Sequence, residues 1–211
     1  MASPYRILGL DPGLQTTGYA VLEATDTGPQ VCDAGVIRSA EVRTATDLAQ
    51  RLRTLYDGVG EVLTEWAPRV MVVEQLYAHY DHPRTAILMA HARGVFFLAG
   101  AQQGLPVLSY AATKVKKLIT GSGRASKEQM QHAIARELSL AKLPEPHDVA
   151  DALAIALCHY FAGSSAVRRP WSSAITGVNL AALLGSDPDG PDADADRDRK
   201  GQARRPKDRR K

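Results

Sequence analysis

Cysteine is nearly absent from this 211-residue chain. Cys32 and Cys158 are the two present, and neither belongs to a C-x-x-C pair. A disulfide framework and a zinc site are therefore not expected. Cys158 lies in an apolar run and reads as a small buried hydrophobe, which suits a reducing compartment. Long apolar runs are also missing: no stretch reaches the roughly 18 residues needed to span a bilayer. The opening MASPYRILGLDPG has no long apolar segment before its first strand-like pattern, so no secretory leader is expected. These absences predict a soluble, cytoplasmic protein without membrane partners.

Large apolar residues almost vanish after Leu184, where SDPDGPDADADRDRK is followed by GQARRPKDRRK. That composition cannot bury a core. The chain is expected to divide into one domain over residues 1–170 and a disordered charged tail over 171–211. A domain of that size needs neither disulfides nor structural metal to close a core. Its seventeen Lys and Arg nearly balance sixteen Asp and Glu, but the charges are sorted along the sequence. Between Lys114 and Lys127 stand five basic residues (Lys114, Lys116, Lys117, Arg124, Lys127) and no acid. Such sorting lets a near-neutral domain meet a polyanion.

The apolar run at 5–10 ends in Asp11-Pro12-Gly13 and reads as a buried strand entering a tight turn. Residues 17–23 and 31–38 read as two further strands in an antiparallel meander. Leu48, Leu52, Leu55, Val59, Val62, Leu63 and Trp66 recur at three- and four-residue spacing, predicting a helix over 45–66 capped by Thr44 or Thr46 and stopped by Pro68. A strand at 69–74, a helix at 83–103 and a strand at 105–109 follow. Helices are then expected near 111–119, from Ser126 to about Leu138, and from Asp148 to about Phe161. Ser126 and Gln129 have the spacing of a capping box. This order predicts an α/β fold, a mixed five-stranded sheet flanked by helices.

Carboxylates sit at the ends of these elements. Asp11 closes the first strand, Glu74 closes the fourth, and Asp148 and Asp151 open the last helix on one face. Neighbouring first and fourth strands would bring all four together. Hard divalent cations favour such oxygen donors, and a metal pair can hold both the attacking water and the leaving oxygen of an in-line displacement. Local alternatives exist for three of the acids, and Glu74 closing an apolar strand is not typical of a surface residue. Asp11 suits a turn before Pro-Gly, Asp148 suits a helix N-cap, and Asp151 suits a solvated position favoured by the helix dipole. The order and spacing of the set favour an active site for phosphodiester cleavage.

As a set, Ile7-Leu8-Gly9-Leu10-Asp11-Pro12-Gly13 with Thr17-Gly18-Tyr19, Val73-Glu74-Gln75, Ala92-Arg93-Gly94 and the run from Asp148 to Ala156 closely resemble the RuvC family of Holliday-junction resolvases, in unbroken order over residues 5–162. The resemblance implies a ribonuclease H-like fold and a homodimer. It implies an endonuclease using Mg²⁺ or Mn²⁺, two ions per site, to nick two strands of four-way-junction DNA during recombination and repair. Asp11, Glu74 and Asp151 match its catalytic, metal-holding carboxylates, and Asp148 matches a position that is Asp in some members and His in others. Lys116 and Lys127 match basic positions near that active site. Tyr77 stands where the family often has an aromatic residue that stacks on a base. Arg84 follows in a loop, His79–Arg84, that is one residue longer than in some members, and is expected to meet a phosphate. The family also implies a branch-migration helicase complex as partner. An actin-like ATPase would share the G-x-D-x-G opening, but 211 residues leave no room for its second domain. A catalytically silent junction binder would not place four acids beside a phosphate path. A resolvase-like RNA-processing enzyme would show the same acids.

Overall fold

A computed structural model describes residues 3–39, 48–76 and 83–167. The expected caps Thr44 and Thr46, the aromatic candidate Tyr77, loop residues 79–82 and the expected charged tail at 171–211 all lie outside the described residues.

Three strands open the chain: β1 (Tyr5–Asp11), β2 (Thr16–Thr25) and β3 (Gly28–Arg38). After them come α1 (Leu48–Trp66), β4 (Val70–Gln75), α2 (Pro83–Gln102) and β5 (Val107–Ala111). The helices α3 (Ala112–Thr120), α4 (Lys127–Glu137) and α5 (His147–Val167) complete the order. The sheet runs β3-β2-β1-β4-β5. The first three strands are antiparallel, and β1, β4 and β5 are parallel to one another. The expected mixed five-stranded sheet flanked by helices is what forms.

Alternation along the strands divides the core into two faces. Ile7, Ala20, Leu22, Val70 and Val72 point to one side, against α3, α4 and α5. Leu8, Leu10, Val21, Met71 and Val73 point to the other, against α1 and α2. Both faces are covered, so β1 and β4 read as continuous apolar runs. Phe96 of α2 is fully buried; truncating such a side chain costs about 3–5 kcal/mol. Cys158 is fully buried in the first face, as expected.

Some boundaries differ from the sequence expectation for local reasons. β3 begins at Gly28 rather than 31, because Gly28 takes a left-handed φ of 129° and the Thr25 hydroxyl donates to its carbonyl at 2.7 Å. The link between β2 and β3 is thus a tight turn rather than a seven-residue connection. β5 begins at Val107 rather than 105, because the amide of Leu105 still bonds back to Gly100 and closes the end of α2. The expected capping box opens α4: Ser126 Oγ accepts from the Gln129 amide at 3.2 Å, and Gln129 Oε1 accepts from the Ser126 amide at 2.9 Å. α5 begins one residue before Asp148, so Asp148 is a first-turn acid rather than an N-cap. It still faces the positive end of the helix dipole there.

Polar groups are scarce inside the α5 side of the core. His159 is buried between two tyrosines, with Tyr110 Oη 3.0 Å from Nδ1 and Tyr5 Oη 3.4 Å from Nε2. Burial pulls its pKa down to about 4, so the imidazole is neutral and both ring nitrogens are partnered.

Candidate active site

Strand register brings the first two acids together. β1 and β4 pair in parallel as far as Leu10 opposite Val73. The next residue on each strand is Asp11 and Glu74, so both acids emerge side by side at the carboxyl end of the sheet. On the other edge of β1, Asp11 pairs with Gly18 of β2. A side chain at Gly18 would collide with the backbone carbonyl of Asp148. The first turn of α5 therefore rests directly on the sheet beside Asp11. Gly9 does the same further along, where a side chain would strike the main chain of Ala152 and the side chain of Ala156. Glycine at these two points is what permits so close an approach. The turn between β1 and β2 is held as well: the buried Thr17 hydroxyl donates to the Gly13 carbonyl at 2.7 Å.

The four acids form one electrostatic unit, and each is half-buried. Asp11 is pushed up from an ordinary 3.8 to about 8, by burial first and then by the charges of Glu74, Asp151 and Asp148. The contact with Glu74 raises Asp11 further, while the same contact lowers Glu74. Glu74 is nonetheless raised overall, by burial and then by Asp151. Asp151 is raised by burial, with Asp148 adding to the effect. Opposing charge comes from Lys116, which acts on Glu74 and Asp151, and from Lys127 and His147, which act on Asp151. Lys116 lies on α3, and Lys127 is the first residue of α4. Two residues of the basic segment thus act on the acid cluster.

Like charges crowded in a half-buried site are relieved either by protons or by a cation. The donor set consists of hard carboxylate oxygens, the type preferred by Mg²⁺ and Mn²⁺. Among the described residues, no three His, Cys, Asp or Glu side chains already meet as a ready coordination group. The acids share a field without forming a finished coordination sphere. In chemistry and charge they fit a divalent ion, which would draw the carboxylates together.

A cleft of about 780 Å³ opens beside this cluster, with Asp148 in its wall. The turn after β1 lines it with Gln15 and Thr16, the start of α1 with Arg51, and the start of α2 with Arg84 and Thr85. Arg84 thus shares this cleft with Asp148. Two residues given no role by the sequence also appear. Arg51 lines the cleft from the first turn of α1, a placement visible only once α1 and α2 are packed. Arg93 stands behind Glu74, donating from Nε to the Glu74 carbonyl at 3.2 Å. Its Ala-Arg-Gly setting was visible in the sequence, but its contact was not.

The profile of the family described as "Crossover junction endodeoxyribonuclease RuvC" matches residues 7–159. A protein of that description from Rhodopirellula baltica is 53% identical over 161 residues, covering 75% of this chain and 88% of the relative. One from Cupriavidus metallidurans is 42% identical over 160 residues, covering 76% and 86%. Among solved structures, Thermus thermophilus RuvC in complex with a Holliday junction substrate superposes with a TM-score of 0.70 at 28% identity, covering 77% of this chain and 96% of that one. The yeast mitochondrial Holliday junction resolvase shares the fold, with a TM-score of 0.53 at 15% identity, covering 78% and 83%. With the matched profile spanning β1 to α5 and the acids gathered at one end of the sheet, this chain belongs to the RuvC family of crossover junction endodeoxyribonucleases.

Proposed function

We propose that this chain resolves four-way DNA junctions by metal-dependent paired nicking, with Asp11, Glu74, Asp148 and Asp151 as its catalytic carboxylates. The observation that carries the reading is the field in which Glu74, Asp148 and Asp151 all raise Asp11, while Lys116 and Lys127 oppose it from outside. Together they would hold Mg²⁺ or Mn²⁺, and two ions suit the number of donors. A bound metal pair supplies activation of water and stabilisation of the leaving oxygen. The carboxylates also orient water, because half-burial leaves their free lone pairs few other partners. Lys116 and Lys127 balance negative charge on the phosphate as it accumulates. Arg84 and Arg51 line the approach and meet the flanking backbone, contacts that position the strand without reading its sequence. Tyr77, three residues beyond Glu74, is proposed to stack on a junction base, an interaction worth roughly 1–3 kcal/mol.

A four-way junction has approximate two-fold symmetry, and paired nicks need two sites. The apolar surface for such a pairing lies on α2. Ile87 and Leu98 are 57% and 54% exposed, and eleven residues of separation place them on one helix face. Exposed His91 and Gly94 lie between them at helical spacing, and Gly94 has open space around it. We assign this stripe to a homodimer seam. The family reading also brings a branch-migration helicase complex as a proposed partner, acting on DNA in the cytoplasm. Among the described residues, no helix is long and apolar enough to cross a membrane.

The deciding experiment offers the purified chain a synthetic four-way junction with Mg²⁺ or Mn²⁺. Paired, symmetric nicks are expected, and Asp11→Asn should stop cutting while leaving binding intact. Failure to cut with either metal across several core sequences would sink the reading. Preferential cutting of structured RNA would redirect it to RNA processing.

A further inference from the structure

We propose that Arg93 is a positioning residue for cleavage, fixing the main chain of Glu74 and through it the place of the Glu74 carboxylate in the acid cluster. The proposal rests on the junction-cleaving reading and adds a residue to it.

Glu74 is the first residue of β4 beyond the pairing with β1, which stops at Val73. From there, β5 alone continues alongside, with Glu74 opposite Tyr110. A strand end held on one side must carry a carboxylate that its acidic neighbours push away. Arg93 supplies the missing restraint from α2. Its Nε donates to the Glu74 carbonyl at 3.2 Å, and one terminal nitrogen donates to Ser109 Oγ of β5 at 2.8 Å. The guanidinium carbon lies 4.4 Å from the ring centre of Phe97, one turn along the same helix. One planar group thus joins β4, β5 and α2. A lysine offers a single point charge on a flexible stem and cannot make both bonds from that stacked position.

The route of action is the main chain. Arg93 faces the peptide carbonyl rather than the acid. Its effect travels through the backbone, so its loss should loosen the geometry of the cluster without removing any donor.

The test uses the full chain with Arg93→Lys, Arg93→Gln and Arg93→Ala. Three quantities are measured: the single-turnover rate at saturating junction with Mg²⁺, junction affinity in Ca²⁺, and the melting temperature with and without Mn²⁺. The rate should fall about 10–100-fold, as for residues that support a metal-holding side chain. Junction affinity should stay at the wild-type value and the metal-free melt should fall only modestly, for the lost hydrogen bonds, while the upshift given by Mn²⁺ should shrink. Millimolar guanidinium should restore part of the rate to Arg93→Ala and none to Glu74→Gln. Wild-type rates in all three variants would overturn the proposal. So would a rate loss matched by equal losses of junction affinity and metal-free stability. If the wild-type chain leaves junctions uncut, the junction reading falls, yet the Mn²⁺ upshift still decides Arg93. A smaller upshift in Arg93→Lys supports positioning, and an equal one refutes it.

Discussion

Replacing Asp11 with Asn should make the metal-free protein more stable while abolishing its activity. Asp11 is raised from 3.8 to about 8 in the folded chain, so the folded state binds its proton more tightly than the unfolded state does. Below pH 3.8 both states are protonated and the residue costs nothing. As pH rises from there toward about 8, each unit removes about 1.4 kcal/mol of stability, and the loss then levels off. At pH 7 this sets an upper bound of about 4 kcal/mol. Protons taken up by Glu74 and Asp151 soften the repulsion, so about 2–4 kcal/mol is the expected gain for Asp11→Asn. The amide is close to isosteric with the carboxyl group, which keeps the local geometry. For a chain of this size the gain corresponds to a rise in melting temperature of about 5–15 °C. Thermal unfolding in EDTA at pH 4, 7 and 9 measures it. The variant should gain little at pH 4 and most at pH 9. Saturating Mg²⁺ should narrow the gap by stabilising the wild-type fold alone. A variant less stable than wild type at pH 9, or a gain that ignores pH, would show that the acids do not share a repulsive field.

Other expectations follow from the packing. Ile87→Glu combined with Leu98→Glu should give monomers by sedimentation at micromolar concentration, and junction products nicked on one strand without the partner cut; a dimer that persists would remove α2 from the seam. Gly18→Ala should lower cleavage sharply even if the chain folds, since the new methyl group meets the Asp148 carbonyl; wild-type cleavage would contradict that contact. Ser126→Ala should cost about 1 kcal/mol through loss of the α4 cap, read by chemical denaturation, and should weaken junction cleavage through the displaced Lys127.

The sequence made the strand ends and their acids readable because burial on both faces writes β1 and β4 as short apolar runs with an abrupt carboxylate. The neighbouring placement of Asp11 and Glu74 needed only the assumption that β1 lies beside β4, and the register bears that out. The helical pattern of α1 and the capping box of α4 were legible for the same reason: each is set by residues within a few positions. What could not be read is non-local. Nothing local to Gly18 announces that a helix begun at His147 will press on it. Arg93 spaced from Glu74 looks like any helical arginine until α2 is docked against β4 and β5. The tyrosines flanking His159 are likewise remote: Tyr5 comes from the first strand and Tyr110 from the last. The length of a local turn also escaped, as at Gly28, because a seven-residue link and a two-residue turn share the same polar composition.

The near-contact of α5 with β1 and β2 sets the tolerance of the site to changes in side-chain length. Gly9 and Gly18 on the sheet meet main chain and alanine on the helix, so there is no layer of flexible side chains to absorb error. The helix packs chiefly on β1 and β2 and less on β4. The acids on the contacting elements are aspartates, and the acid on the strand farther from the helix is a glutamate, one methylene longer. Reach is matched to distance, and the backbone fixes the distance. Exchanging Asp151 for Glu, or Glu74 for Asp, would preserve every charge and still change the spacing of the oxygens, a change the rigid helix–sheet seat has no slack to take up.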